Sequence, residues 1–373
     1  MKFTIERGAL LKALTHVQSV VERRNTIPIL ANVLVRAEDG SVELTATDMD
    51  LSVIESVPAG VSQGGAITVS AHTLFDVVRK LEDGAQIEIG GGSEEGQLPL
   101  RAGRSSLKLA TLASEEFPVM SNDDMPHAFQ LSAADLRLLI DRTRFAISTE
   151  ETRYYLNGIY LHAASDDDGA AALRAVATDG HRLARMDVPL PDGAAAMPGI
   201  IVPRKTINEL RKLIDEAEGD VDVSLSDTKI RFAIDGIVLT SKLIDGTFPD
   251  YNRVIPEGND KELRVNCKRF ERAVDLVSTI STEKSRAIKL SLNDNNLVLS
   301  ATSPDSGSAT EELEVDYDDG PLEIGFNSRY LIDITQQMIG DEARFALADS
   351  ASPTLVRDTA DDSALYVLMP MRV

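Results

Sequence analysis

The sequence repeats one pattern three times, and this repetition is the feature that most limits how the chain can fold. Three segments begin alike, with a short alternating stretch that runs into helical spacing: residues 3–10, 129–136 and 263–270. Their starts lie about 130 residues apart, which is longer than the repeat of a solenoid. The period therefore predicts a triplicated domain.

Within each repeat, the pattern of a strand followed by a helix occurs twice. The first helix carries apolar residues at helical spacing, which predicts one buried face. These residues are Leu10, Leu14 and Val17, then Leu136 and Ile140, then Phe270, Val274 and Val277. The intervening strands alternate apolar and polar residues. We therefore expect an α+β fold with two helices per domain on one side of antiparallel sheets.

Two polar, turn-rich segments separate the three repeats. They lie at residues 121–126 and 257–260. The predicted domains are residues 1–125, 126–258 and 259–373.

Composition narrows the functional classes. The 373 residues carry a net charge of −22, which argues against tight nonspecific binding of nucleic acid, because phosphate contacts require Lys and Arg. The single cysteine, Cys267, excludes an internal disulfide and fits a reducing compartment. No apolar stretch approaches the ~20 residues of a membrane helix. We expect a cytoplasmic protein that does not bind membranes.

The acidic residues include two short runs, at residues 166–169 and 316–320. Neither run has the alternating spacing of a calcium loop. Both are predicted to be solvated hairpin turns, and we expect neither a metal nor a cofactor.

Basic side chains nevertheless recur at the predicted helices of all three repeats. One such helix is an ordinary solvated face, but the repetition favours a common basic surface that holds DNA without reading bases. Aligning the second strand-to-helix steps places His72, Lys205 and Arg329 at one equivalent position. A cation at a helix start opposes the helix dipole. Either DNA phosphates account for these residues, or the residues lie outside the first helical turn or reach acidic neighbours.

The segment 178–182 offers a catalytic alternative. His181 could act with Asp179 as a general base in a hydrolase. A turn capped by Asp179, with Gly180 in an unusual backbone conformation, is favoured instead. A third possibility is an acidic scaffold that mimics DNA and binds basic proteins.

Five further motifs occur in order, at residues 153–158, 177–183, 202–205, 241–251 and 369–372. Together with the threefold repeat, they closely resemble the bacterial DNA polymerase III beta subunit, the replicative sliding clamp, from end to end. The resemblance implies a homodimeric ring that encircles double-stranded DNA without reading its sequence and tethers polymerases as a processivity factor in DNA replication. It also implies a non-catalytic subunit of a DNA-directed DNA polymerase, or nucleotidyltransferase, holoenzyme.

The same resemblance implies which residues bind DNA and partners. The DNA-contacting residues would be Arg24, Tyr154, Tyr155, Arg204 and Lys205. Packing within a strand is the simpler interpretation for one of the two tyrosines. The partner cleft would contain Leu156, Thr178, Gly180, His181, Arg182, Leu183, Pro249, Arg253, Val254, Asn327, Tyr330, Val367, Met369, Pro370, Met371 and Arg372. Relatives differ at Glu150, where some have a neutral amide, and at Ala351 and Pro353 on the cleft rim.

Partners implied by the resemblance would insert short peptides with a Gln and hydrophobic anchors. They include the DNA polymerase III alpha subunit, other polymerases, and mismatch-repair, ligase and initiation-regulation proteins. Ring opening would need a separate ATP-driven clamp loader, because this chain has no P-loop. Closure of the homodimer would join the first domain of one subunit to the third of the other, with Leu107 and Ile280 as apolar contacts.

Overall fold

The computed structural model describes residues 1–23, 26–91, 96–121, 124–165, 168–217, 219–281 and 286–373. Six α-helices lie in these ranges. They are α1 (Arg7–Gln18), α2 (Ala71–Lys80), α3 (Ala133–Asp141), α4 (Arg204–Asp215), α5 (Cys267–Ser278) and α6 (Ser328–Thr335).

Twenty-five strands lie in the same ranges, and they follow the threefold repeat. The first repeat contains β1 (Lys2–Glu6), β2 (Asn32–Glu38), β3 (Ser41–Thr47), β4 (Leu51–Pro58), β5 (Gly60–Gln63), β6 (Gly65–Ser70), β7 (Gln86–Gly90), β8 (Gln97–Ala102) and β9 (Ser105–Leu112). The second contains β10 (His127–Ser132), β11 (Gly158–Ser165), β12 (Ala171–Thr178), β13 (Arg182–Pro189), β14 (Ile200–Pro203), β15 (Asp220–Leu225), β16 (Lys229–Ile234) and β17 (Ile237–Lys242). The third contains β18 (Lys261–Asn266), β19 (Ala287–Asn293), β20 (Asn296–Ser303), β21 (Gly307–Glu314), β22 (Leu322–Asn327), β23 (Glu342–Leu347), β24 (Thr354–Asp358) and β25 (Ala364–Leu368). The predicted order of strands and helices is confirmed in each repeat.

Each helix begins at the residue that follows a strand, and polar side chains cap several of these junctions. Ser132 Oγ accepts the N–H of Asp135 at 3.0 Å before α3. Asn266 Oδ1 accepts the N–H of Arg269 at 3.1 Å before α5. Such caps satisfy the free N–H groups of the first helical turn and end the strand at a defined residue.

The predicted apolar face of the first helix in each repeat is confirmed. All eight predicted positions are at most 4% exposed. The α1 helix packs on β3 and β4 and beside α2, and α5 packs on β20 and β21 and beside α6. Aliphatic burial along one helical stripe thus builds the core of the terminal repeats.

The chain packs as two compact units. The first comprises residues 1–136, 191–197 and 205–243. Its strands form one antiparallel sheet in the order β10-β15-β16-β17-β4-β3-β2-β6-β9-β8-β7-β1-β5. Strands of the first and second repeats join where β17 pairs with β4, with Thr240 opposite Ser52.

The second compact unit comprises residues 137–190, 198–204 and 244–373. It contains an eight-stranded antiparallel sheet, β14-β11-β12-β13-β25-β24-β23-β18, and a four-stranded one, β21-β20-β19-β22. The second repeat therefore contributes strands to both compact units. The predicted boundaries after residues 125 and 258 stay predictions.

The prediction of a hairpin turn is wrong for the acidic run at residues 316–320. Residues 316–320 connect β21 and β22, which lie at opposite edges of the four-stranded sheet, so the segment crosses the sheet and is not a hairpin. Tyr317 in this segment is fully buried, and its hydroxyl donates to the Gly320 carbonyl at 2.6 Å. Of the other run, Asp166 and Asp167 lie outside the described residues. Among the helices in the described part of the chain, none is long and apolar enough to cross a membrane.

Candidate functional site

A tight turn between β12 and β13 forms the centre of the predicted cleft. Asp179 Oδ1 accepts hydrogen bonds from the N–H groups of His181 and Arg182 at 2.9 and 3.0 Å. The Thr178 hydroxyl donates to the Arg182 carbonyl at 2.7 Å. Gly180 has a φ of 88°, and a Cβ there would clash with the Arg153 guanidinium. The predicted Asp-capped turn with an unusual glycine is confirmed.

Arg182 ties this turn to other elements of the second compact unit. Its Nε donates to Asp179 at 3.1 Å, and its Nη1 donates to Asp333 of α6 at 2.5 Å. Its Nη2 donates to the Phe145 carbonyl at 2.6 Å, and its guanidinium lies 4.2 Å from the Tyr330 ring centroid. Burial raises the pKa of Tyr330, so the ring stacks in its neutral form. Since Arg182 is only 9% exposed, it supports the cleft from within.

Three of the predicted cleft residues belong to one buried apolar cluster. Leu156, Leu183 and Val367 are at most 4% exposed. Leu183 of β13 lies directly opposite Val367 of β25. The remaining buried members of this cluster are Val176, Ile201, Phe248, Tyr251 and Leu365. The side chains of this cluster are closed off from solvent, so their main role is to stabilise the fold rather than to contact a ligand.

Two apolar side chains stay exposed beside this cluster. Val254 ends the 3₁₀ segment Tyr251–Val254 and is 45% exposed, and Met369 follows β25 and is 39% exposed. The Met369 N–H donates to the His181 carbonyl at 2.9 Å, which fixes the C-terminal segment to the turn. The predicted cleft residues Pro249 and Arg253 are exposed as well. Exposed apolar groups that adjoin a buried apolar cluster along the chain suit an apolar ligand.

The last residues of the chain lie beside β22. The Met371 N–H donates to the Gly325 carbonyl at 2.7 Å. Ala351 lines a groove with Gly325 and Met371, so this predicted rim position borders the C-terminal segment. The Pro353 carbonyl accepts a hydrogen bond from the Asn259 amide at 2.9 Å, and this contact fixes the other rim position.

A second groove, of about 470 Å³, contains the turn and is rich in arginine. Its basic residues are Arg144, Arg182, Arg204, Arg286 and Arg329, and it also contains Asn327 and Tyr330 of the predicted cleft. Glu150 lines it too, and accepts hydrogen bonds from Arg153 Nε and Nη2 at 2.8 and 2.7 Å. These bonds lower the pKa of the Glu150 carboxyl. The acid that replaces a neutral amide of some relatives is thus paired within its own loop.

The tyrosine pair does not lie in a strand, so that part of the interpretation is wrong, but one of the two side chains packs as expected. Both rings belong to the 3₁₀ segment Glu151–Leu156. Tyr154 is 53% exposed, whereas Tyr155 packs against the apolar cluster, and the two ring centroids lie 5.8 Å apart. Arg204, the first residue of α4, is exposed. Arg24 lies outside the described residues.

Three family models match successive parts of the chain. They describe the N-terminal, central and C-terminal domains of the DNA polymerase III beta subunit and match residues 1–121, 130–250 and 252–372. The chain belongs to the DNA polymerase III beta subunit family.

Relatives and solved structures agree with this assignment over the whole length. A beta sliding clamp of Caulobacter vibrioides is 52% identical over 373 residues, and the match covers both chains completely. A solved sliding clamp from Bartonella birtlesii, bound to griselimycin, is 52% identical with a TM-score of 0.97 and full coverage of both chains. A Caulobacter crescentus clamp with polyethylene glycol in a putative beta-motif tethering region has the same identity and TM-score, over 100% of this chain and 99% of that one.

The function is accordingly that of a sliding clamp in DNA replication, a non-catalytic processivity factor of the polymerase. The hydrolase and acidic-scaffold alternatives find no support. Asp179 gives a physical reason against the hydrolase, because both of its oxygens bind the turn and Arg182.

Burial raises the pKa of the Cys267 thiol to about 11, which leaves it a poor nucleophile. Within the described ranges, no three His, Cys, Asp or Glu side chains converge on a possible metal position.

The chain does contain one Gly-x-Ser-x-Gly sequence, at residues 60–64. In a hydrolase, the serine of such a motif sits on a sharp turn between a strand and a helix. Ser62 lies instead within β5, and its hydroxyl donates to the Lys2 carbonyl at 3.1 Å. This serine therefore serves strand pairing.

Lys205, the remaining predicted DNA contact, lies in the first compact unit and is held by two acids. Its Nζ donates to Asp48 Oδ2 and lies 3.4 Å from Glu22 Oε1. Burial lowers the pKa of Lys205, but these carboxylates outweigh it and raise the pKa above the usual value.

The predicted equivalence of three helix-start residues is confirmed, since His72, Lys205 and Arg329 are each the second residue of their helix. Acidic neighbours contact Lys205 and Arg329, whereas His72 bonds a backbone carbonyl.

The two predicted dimer residues are half-buried in the subunit. Leu107 lies on β9, and Ile280 follows α5. Leu276, in the last turn of α5, is 55% exposed and adds apolar surface to the same helix end.

Sequence reasoning missed the residues that hold the site in place. Asp333 fixes Arg182 across 151 positions, and Asp48 fixes Lys205 across 157. No local spacing marks such contacts. The one available signal was the Ala-Thr-Asp sequence shared by residues 46–48 and 177–179, which places Asp48 and Asp179 at equivalent positions.

Proposed function

We propose that two copies of the chain close into a ring around double-stranded DNA, and that partner proteins bind the cleft beside β13 through short peptides. A closed ring cannot leave circular DNA, so a polymerase bound to it stays near the DNA at high effective concentration. The observation that carries the proposal is the exposure of Val254 and Met369 beside a closed apolar cluster. Hydrophobic anchors of a peptide can bind there without rearranging the core.

Similar clamps support a ligand-binding region of this kind. The B. birtlesii clamp was solved with griselimycin, and the C. crescentus clamp with polyethylene glycol in a putative beta-motif tethering region. We expect the cleft of this chain to accept peptides of the DNA polymerase III alpha subunit, other polymerases, and mismatch-repair, ligase and initiation-regulation proteins. Nucleotidyl transfer then belongs to the polymerase, and a separate ATP-driven loader opens the ring in the cytoplasm.

Two strand edges support ring closure. β9 pairs with β8 along residues 105–110, whereas β6 meets only Thr111 and Leu112 at the end of β9. β21 lies at the edge of the four-stranded sheet. The exposed side chains near these two edges have opposite charge. They are Arg101 and Arg104 beside β9, and Glu312 and Glu314 on β21. Strand pairing between unlike ends of two subunits would join both edges and neutralise these charges.

The contact with DNA is expected to be weak and sensitive to salt. Arg204 and Tyr154 are exposed and offer a charge and an aromatic face. The net charge of −22 opposes any broader adhesion of the protein to phosphates. Retention on DNA then depends on closure of the ring.

The decisive experiment measures retention on nicked circular DNA after loading with a clamp loader and ATP. The protein is expected to stay bound through gel filtration and to leave once the DNA is cut at a single site. Omitting the loader is the control and should abolish retention. Binding that survives linearisation, or that needs no loader, would contradict topological encirclement.

A further inference from the structure

The turn between β3 and β4 fixes a carboxylate against Lys205. Asp48 Oδ1 accepts hydrogen bonds from the N–H groups of Asp50 and Leu51 at 2.9 and 2.7 Å. The other carboxylate oxygen accepts the hydrogen bond from Lys205 Nζ. The two backbone hydrogen bonds hold the Asp48 carboxylate in this orientation, and its side chain is only 13% exposed.

The equivalent turn in the second repeat uses its aspartate differently. Residues 47–51 and 178–182 share the same hydrogen bonds and a positive φ at their third residue, 77° and 88°. Asp179 binds Arg182 at the end of its own turn. The matching position in the first repeat is Leu51, which carries no charge. Asp48 therefore binds a cation from another element, Lys205 of α4.

A second carboxylate faces the same ammonium group. Glu22 Oε1 lies 3.4 Å from Lys205 Nζ, and the Lys205 side chain is 37% exposed. Two carboxylates against one ammonium leave this cluster with a net charge of −1. A phosphate that approaches Lys205 must compete with both acids for its N–H groups.

We propose that Asp48, together with Glu22, offsets the charge of Lys205 and so limits how strongly this residue contacts DNA phosphates. The inference rests on the proposed encirclement of DNA and on the predicted contact of Lys205 with the DNA phosphates. A ring that is retained by closure gains mobility when its contacts with phosphates are weak. Asp48 acts on DNA only through Lys205 and is a positioning residue.

The test compares two substitutions in the same turn. Asp48→Asn keeps an oxygen acceptor for the two backbone N–H groups but removes the charge that faces Lys205. Asp50→Asn is the matched control, because it also removes one carboxylate charge from this turn. The lysine that it releases is Lys242, whose Nζ lies 2.9 Å from Asp50 Oδ1, and not Lys205. Binding of the full-length variants to a short fluorescent duplex is measured by anisotropy over a range of salt concentrations.

Asp48→Asn is expected to bind the duplex several-fold more tightly at low salt than either the wild type or Asp50→Asn. Its slope of log K against log salt should steepen by up to about 0.9, the value for one added phosphate contact. Glu22→Gln should act in the same direction but more weakly, and it leaves the turn untouched. In a Lys205→Gln background, Asp48→Asn should lose its advantage over Asp50→Asn.

Equal effects of Asp48→Asn and Asp50→Asn would mean that only net charge matters and would overturn the inference. So would an advantage of Asp48→Asn that persists without Lys205. If Asp48→Asn proves unstable, an unchanged salt slope in Glu22→Gln overturns the inference by itself. A wild-type protein that fails loader-dependent retention refutes the proposed function, whereas normal retention with unchanged Asp48→Asn binding refutes this inference alone.

Discussion

The Arg182 guanidinium lies 4.2 Å from the centroid of the Tyr330 ring and donates to Asp333, so one cation joins the β12–β13 turn to α6. We predict that Arg182→Ala lowers the free energy of unfolding by about 1–3 kcal/mol, because it leaves the partly buried carboxylates of Asp179 and Asp333 without their donor. Urea unfolding followed by circular dichroism measures this loss.

The matched control is Arg253→Ala. Its side chain is 83% exposed, and it binds Asp250 at 3.0 Å. An exposed pair of this kind contributes about 0–1 kcal/mol, so the unfolding midpoint should barely move. Similar losses in the two variants would contradict a supporting role for Arg182.

The cleft should separate residues that bind peptide from residues that maintain the fold. Val254→Ala and Met369→Ala are expected to weaken a peptide of the polymerase alpha subunit about tenfold or more, because exposed anchors in a small interface carry much of its affinity. Their unfolding curves should match the wild type. Fluorescence polarisation with the labelled peptide gives the affinities.

Leu183→Ala should behave in the opposite way. Leu183 is 2% exposed within the apolar cluster, so the truncation leaves a cavity and costs about 2–5 kcal/mol of stability. If Leu183→Ala left stability unchanged while Val254→Ala destabilised the protein, the distinction between the buried apolar cluster and the exposed peptide-binding side chains would be wrong.

Sequence patterns predicted the structural features that depend on residues close together in the chain. The buried face of α5 followed from the spacing of Phe270, Val274 and Val277, because a helical period fixes which side chains share a face. The turn at residues 178–182 was predictable for the same reason, since Asp179 bonds the backbone of its own turn.

Contacts between distant segments could not be predicted in this way. Residues 316–320 look like a hairpin, but the order of the four-stranded sheet makes them a crossover. Tyr154 and Tyr155 suggested a strand, but they form a 3₁₀ segment in which only Tyr155 packs against the apolar cluster. Ion pairs such as Asp48 with Lys205 depend on the tertiary fold alone, and a list of basic residues gives no sign of them.

Ring closure predicts that Leu107 is needed for the dimer. Leu107→Asp introduces a charge on β9, and an unpaired charge at an apolar contact opposes association. We expect light scattering at micromolar concentration to change from twice the subunit mass of 40.4 kDa to the subunit mass. Val119→Asp is the control, because Val119 is 66% exposed after β9 and should leave the dimer intact. A dimer that survives Leu107→Asp would contradict this assignment.

Two histidines should give stability opposite dependences on pH. His16 Nδ1 lies 2.7 Å from Glu55, and its Nε2 lies 3.7 Å from Glu216. Burial lowers the pKa of His16, but these two acids outweigh it and raise the pKa above 6.5. Burial lowers the pKa of His162, whose Nε2 lies 3.0 Å from the Tyr251 hydroxyl, below 6.5.

The folded state therefore binds a proton at His16 more tightly than the unfolded chain does. The stability from this pair is fully present below pH 6.5 and is lost as the pH rises through the raised pKa. The difference in unfolding free energy between wild type and His16→Gln should shrink over that range in urea titrations. For His162→Gln the difference should grow as the pH rises toward 6.5, because neutral His162 is the form that the fold stabilises. A His16 difference that grows with pH would show that Glu55 does not hold a protonated imidazole.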